Sequence, residues 1–177
     1  FAPFILFAVF TRLSADFALW VAFAAAFVVT IRDFVERPSL RLLDCGSLVL
    51  FAGLALWRGF VQPDLSLAAV RLAADLGMFV LLGCPLLLGR PFSLQYASPR
   101  TGEQEWPPRL FRRVNYVISA VWIAGFGLMA LADAAVTFHP ELPFYIAVAA
   151  DLLALGLATL FTLRYPAARL SSARMPE

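Results

Sequence analysis

The chain has 177 residues, 62% of them hydrophobic and only 15% charged, against about 45–50% apolar and about 25% charged in an ordinary soluble domain. Fourteen arginines, no lysine and twelve acids leave a net charge of +2, which gives no basis for a nucleic-acid partner. With two cysteines and one histidine the chain lacks the ligands for a structural zinc centre, and no cofactor is expected.

The apolar residues come in blocks, and in chain order these predict an all-α, polytopic transmembrane bundle. Residues 1–10, FAPFILFAVF, would make only about 15 Å of helix at 1.5 Å per residue, too short to span. With Thr11 to Asp16 interrupting them, they read as a half-helix or re-entrant segment leading into the first full span. Five full spans follow, at about 14–33, 43–60, 66–89, 113–134 and 142–164, each close to the ~20 residues that a bilayer core requires. A lipid environment leaves the backbone only helices or closed barrels, and these runs are too long and too continuously apolar for barrel strands. Cys45 and Cys84 fall inside spans and read as small buried hydrophobes.

Arginine placement sets the orientation. Loop 32–42, loop 90–112 with Arg109, Arg112 and Arg113 near its end, and the tail after 164 carry nearly all the basic residues, whereas connections 61–65 and 134–142 carry none. Alternating the five spans puts all the basic segments on one side, which the positive-inside rule makes cytoplasmic, together with the C-terminus. The whole chain, 1–177, is then a single transmembrane domain. Loop 90–112 has four prolines and interleaves aromatic residues with Arg90, Arg100, Arg109 and Arg112, a composition suited to anionic lipid headgroups.

Ionisable residues within spans cost roughly 2.5–3.5 kcal/mol each at the bilayer centre on insertion scales. Asp75 and Asp151 each lie well inside a span, at similar depth from the arginine-free side. Arg71 precedes Asp75 by one helical turn, the spacing of an ion pair. Arg12 and Asp16 repeat that spacing, and Asp133 ends the fourth span. The pattern predicts a polar cavity in the outer half, lined by Arg71, Asp75 and Asp151, with Arg12, Asp16 and Asp133 near its mouth. The alternative is a set of interhelical salt bridges. His139, in THPELP, reads as an ordinary loop residue, and no metal or hydrolase motif is present.

In order along the chain stand the Phe1–Phe10 segment, an alanine-rich helix, the short stretch Phe92 to Tyr96, and Trp106-Pro107-Pro108. Then come Arg112-Arg113-Val114-Asn115, a helix with Trp122 and Gly125, and the exit Phe161-Thr162, Arg164-Tyr165-Pro166. This layout resembles the intracellular septation protein A family of small bacterial inner-membrane proteins, although the loop through Ala97 to Glu105 is longer here. The resemblance implies a role in cell division and envelope maintenance through contact with other envelope membrane proteins, with no agreed catalytic residue. It marks Trp106, Arg113 and Asn115 as interaction or structural positions. A non-enzymatic protein acting through protein or lipid partners is therefore expected. A small transporter or channel using the outer-half cavity, and a membrane enzyme acting on lipid, remain as alternatives.

Overall fold

A computed structural model describes residues 2–11, 13–36, 41–96 and 107–174, with side chains in the last helix described to 169. Its elements are α1 (Ala2–Phe10), α2 (Ala15–Glu36), α3 (Leu42–Val61, its last turn a wider π turn from Trp57), α4 (Leu67–Leu87), the single turn α5 (Ser93–Tyr96), α6 (Pro108–Phe138) and α7 (Tyr145–Arg174). No strand forms among the described residues. Five helices, α2, α3, α4, α6 and α7, are long and apolar enough to cross a membrane, so the fold is a transmembrane helical bundle with a short N-terminal helix.

Burial runs opposite to that of a soluble protein. Phe60, Leu87 and Val35 are 80%, 87% and 77% exposed, while Arg71, Asp75, Asp133 and Asp151 are buried. An apolar exterior is stable only against hydrocarbon. Association between the helices then rests on close packing and interior polar contacts rather than on the exclusion of water.

Helix α4 packs along α6, α6 along α7, α2 along α3 and α3 along α4. The α3–α4 seam shows why small residues stand where they do. A Cβ on Gly46 would collide with the Leu81 side chain, and one on Gly77 with Leu50, so each helix places a leucine in the notch left by the other's glycine. Elsewhere the helix ends follow local chemistry. Ser66 caps α4, its Oγ accepting from the Ala69 N–H at 3.2 Å. Gly89, with φ of 71°, turns the chain after α4, a conformation that glycine adopts without Cβ strain. Pro107 and Pro108 open α6, where a missing N–H costs nothing.

Two short elements fill the bundle's two ends. Helix α1 buries Phe4 and Phe7. The Phe4 ring meets Phe126 of α6 edge-on at 4.9 Å, and Phe7 lies 5.5 Å from Phe51 of α3. At the other end Phe92 is buried, and the α5 turn is held by Ser93 Oγ donating to the Asn115 carbonyl at 2.8 Å, while Gln95 Oε1 accepts the Leu42 N–H at 2.9 Å.

Several helix limits, and the setting of the two cysteines, differ from the sequence reading. Helix α6 starts at Pro108 rather than 113, because arginines in the first turns of a membrane helix extend beyond the hydrocarbon without breaking it. Helix α7 starts three residues later, at Tyr145, and runs on through Pro166 to Arg174. Cys84 is exposed on the bundle exterior and Cys45 is only half-buried, so neither is the buried small hydrophobe that the sequence suggested.

The glycine notches generate a stability prediction. Gly77→Val is expected to lower stability by about 1–3 kcal/mol through overpacking against Leu50. Gly53→Val, whose Cβ meets nothing within 4 Å, is the matched control and is expected to be neutral. Thermal melts followed by size exclusion in detergent compare the two directly.

Candidate functional site

Four ionisable side chains from three helices converge at the arginine-free end. Arg71 and Asp75 come from α4, Asp133 from α6 and Asp151 from α7. Arg71 Nε donates to both Asp133 oxygens, at 3.2 and 3.3 Å, and Arg71 Nη2 donates to Asp151 Oδ2 at 2.5 Å. The guanidinium carbon also sits 5.1 Å from the centre of the Phe144 ring. Asp133 is wholly buried, and its carbonyl accepts the Thr137 hydroxyl at 2.7 Å. One carboxylate oxygen from each of Asp75, Asp133 and Asp151 lies within 4.8 Å of the others.

This arrangement departs from the sequence expectation in its pairing. Arg71 does not pair with Asp75, its neighbour one turn away. Its guanidinium reaches across to α6 and α7, where two carboxylates meet it, and Asp75 instead faces Asp133. Asp133, expected near a cavity mouth, is the most deeply buried member. Asp16 is not part of the cluster. It is exposed and pairs with Arg58 on the last turn of α3 at 2.5 Å, because α2 starts at the bundle surface. Arg58 also donates to the Leu65 carbonyl, tying the α3–α4 turn to the start of α2. Arg12 lies outside the described residues.

The expected cavity is nearly closed. The space among Phe4, Phe7, Ala8 and the four charged residues is about 10 Å³, room for about one water molecule. Helix α1 closes it by standing over the cluster. Beside it, between α1 and α7, lies a separate groove of about 260 Å³ whose wall includes Arg71 and Asp151.

One guanidinium therefore serves three carboxylates. With all three acids ionised, the cluster would lack two positive charges. The Oδ1 atom of Asp151 is buried and has no hydrogen-bond partner.

A second polar region, which the sequence reading did not single out, occupies the arginine-rich end. A cavity of about 390 Å³ lies among Leu43, Phe92, Tyr96, Asn115, Trp122 and Thr162. Trp122 Nε1 donates to Thr162 Oγ1 at 3.0 Å, and Asn115 Nδ2 to the Phe111 carbonyl at 3.0 Å. Asn115 thus bonds a backbone carbonyl one turn back in its own helix. Burial, and next the neighbouring Asp44 carboxylate, push the Tyr96 phenol above its ordinary value and keep it protonated. Asn115, which the resemblance marked, lies in this region, and a further signal was Asp44, an acid in the first turn of an apolar helix.

Among the remaining candidates, Arg90, Arg109, Arg112 and Arg113 are exposed at the arginine-rich end, and Trp106 lies outside the described residues. His139 is exposed, and its ring Nδ1 lies 3.1 Å from Glu141 Oε1. No known family model matches the chain, and neither does any curated protein or solved structure.

The charge imbalance separates the acids experimentally. Asp133→Asn should cost about 3–5 kcal/mol, the usual cost of removing one partner of a buried pair. Asp75→Asn should leave stability unchanged or raise it, because Asp75 has no ion pair of its own and an amide there still reaches Asp133. Denaturation of the two variants in the same detergent gives the order, and equal losses would show that Asp75 is also an Arg71 partner.

Proposed function

We propose that the chain is a non-enzymatic multi-pass protein of a bacterial inner membrane. Its arginine-rich end and C-terminus face the cytoplasm, and it works there by holding anionic lipid headgroups and other membrane proteins of envelope synthesis. The supporting observation is a contrast in pairing. The buried arginine is held by two aspartates, whereas Arg90, Arg109, Arg112 and Arg113 are exposed and make no ion pair among the described residues. Arg109, Arg112 and Arg113 flank a surface hollow of about 400 Å³ with Tyr116. The Tyr116 hydroxyl donates to the Leu86 carbonyl at 2.6 Å, so this patch is fixed to the end of α4. Unpaired arginines around an aromatic residue at a helix end suit phosphate headgroups.

The transporter and lipid-enzyme readings draw less support. Each needs space between the acids for a solute or a headgroup, and that space holds about one water. The resemblance to the septation protein A family supports a role in cell division and envelope maintenance. It covers nearly the whole chain, and its most recognisable stretch, with Arg113 and Asn115, lies at this same end.

Two measurements test the proposal. Arginines near an anionic surface contribute about 1 kcal/mol each. Purified Arg109→Gln/Arg112→Gln/Arg113→Gln should therefore bind anionic vesicles about a hundredfold more weakly than wild type at low salt. Zwitterionic vesicles should not distinguish the two proteins. In a deletion strain, the same triple variant should fail to restore cell length and envelope tightness at wild-type membrane levels, while Asp75→Asn restores both. Full rescue by the triple variant would end the proposal.

A further inference from the structure

We propose that the outer face shared by α4 and α6 binds one long-chain isoprenoid phosphate. Its phosphate sits among Arg109, Arg112 and Arg113, and its chain runs across the membrane midplane. The inference rests on the reading of these arginines as a site for anionic headgroups, and adds what the rest of the lipid must be.

The hollow at the arginines and a second, larger one lie on a single stripe. The second is an open apolar groove of about 690 Å³ between α4 and α6, with Leu76 and Phe79 on one side and Leu128 and Leu131 on the other. On α6, Arg113, Val117, Ala120, Ala124, Gly127 and Leu131 recur every three or four positions, so one helix face carries both hollows. Helix α4 repeats the spacing with Leu76, Phe79, Gly83 and Leu86, and the Leu86 carbonyl accepts the Tyr116 hydroxyl at the arginine hollow. Small residues stand between the two. Ala120 and Ala124 are exposed, and a Cβ on Gly83 would meet nothing within 4 Å. This leaves a valley from the arginines to the groove.

Length selects the chain. From Arg113 to Leu131 the stripe runs about 27 Å at 1.5 Å per residue, nearly the ~30 Å of a hydrocarbon core. The groove opens at Ala124, about 16 Å along from Arg113 and so at about the midplane. An acyl chain of the leaflet at the arginine-rich end stops there, because two leaflets share the core. One isoprenoid chain longer than a leaflet fills the valley and the groove together.

Charge selects the head. Three guanidiniums wall the hollow, and neither helix offers them an acid, since α4 has none after Asp75 and α6 none before Asp133. A phosphomonoester carries about −1.5 to −2 charges at neutral pH, more than the phosphodiester of an ordinary phospholipid, and presents three oxygens to the arginine forks. A second copy of the chain fits this face less well. In the same membrane orientation it would bring its own arginines to the level of these, a repulsive arrangement.

The test compares ratios, so that the partition of long chains into detergent cancels. Delipidated protein is titrated with undecaprenyl phosphate and with farnesyl phosphate, whose chain stops short of the groove, and bound lipid is counted by native mass spectrometry. The preference of wild type for the long chain should exceed that of Ala124→Phe, which fills the groove mouth, by about tenfold or more. Gly83→Leu, which closes the valley from the other helix, should lower the preference likewise. Farnesyl phosphate should bind wild type and both variants alike. The Arg109→Gln/Arg112→Gln/Arg113→Gln variant should bind undecaprenyl phosphate about a hundredfold more weakly at low salt. An unchanged ratio in both groove variants overturns the inference but leaves the headgroup reading standing, provided farnesyl phosphate still needs the arginines. Undiminished binding of both phosphates by the triple variant overturns the two together. Displacement of undecaprenyl phosphate by an equal concentration of phosphatidylglycerol would assign the face to ordinary phospholipid. A wild-type dimer that Ala124→Phe splits would assign it to a second copy, and either result overturns the inference. Where Ala124→Phe does not fold, Gly83→Leu decides alone.

Discussion

The structure depends on one guanidinium. Arg71 is the point at which α4, α6 and α7 are joined by charge, through Asp133 and Asp151. In hydrocarbon the apolar faces of these helices gain little from meeting one another rather than lipid, so a buried ion pair has few competitors for setting their register. Its geometry is that of a fork. The Nε edge meets one helix and an Nη meets another, and only arginine offers both directions in one rigid plane. A lysine at this position would reach one partner and leave the other acid buried and unpaired. The arrangement is stabilising only as a whole, because desolvating these charges costs energy that the pairing must return.

That requirement accounts for α1. Nine residues cannot cross a bilayer, yet α1 is buried on one side by two phenylalanines and covers the cluster. Its free end is satisfied locally. The Thr11 N–H bonds the Phe7 carbonyl at 2.9 Å, Thr11 Oγ1 donates to the Ala8 carbonyl at 2.8 Å, and Ser14 Oγ accepts the Phe17 N–H at 3.1 Å as α2 begins. A helix end at this depth is tolerated because its orphan groups have partners. Arg71 is thereby left only 5% exposed, and the pair is strengthened by the low dielectric that it sits in.

The membrane bundle was legible from the sequence because it rests on composition and block length, properties local to each segment. The half-helix was legible for the same reason, since ten apolar residues have a fixed length as a helix. The polar cluster was legible in part. Asp75, Asp151 and Arg71 stood out as charges in apolar runs, but their partners depend on the rotation of one helix about another, which spacing along a single helix does not encode. The i, i+4 rule offered Asp75 to Arg71, and tertiary packing supplied two better-placed carboxylates. Asp133 was misjudged because depth was counted from an assumed end at 134, and α6 runs on to Phe138. The pocket around Tyr96 and Trp122 left almost no trace, being made of single Ser, Thr, Asn and Tyr residues that occur equally in ordinary helix packing.

The half-helix and the lateral groove have the same cause. Because α1 ends at Phe10 and the chain turns back into α2, the α7 face carrying Val148, Leu152 and Leu155 has no full-length helix against it. A complete span in place of α1 would cover that face and close the groove beside Arg71 and Asp151. Shortening the helix keeps the cluster roofed from above and leaves it approachable from the side.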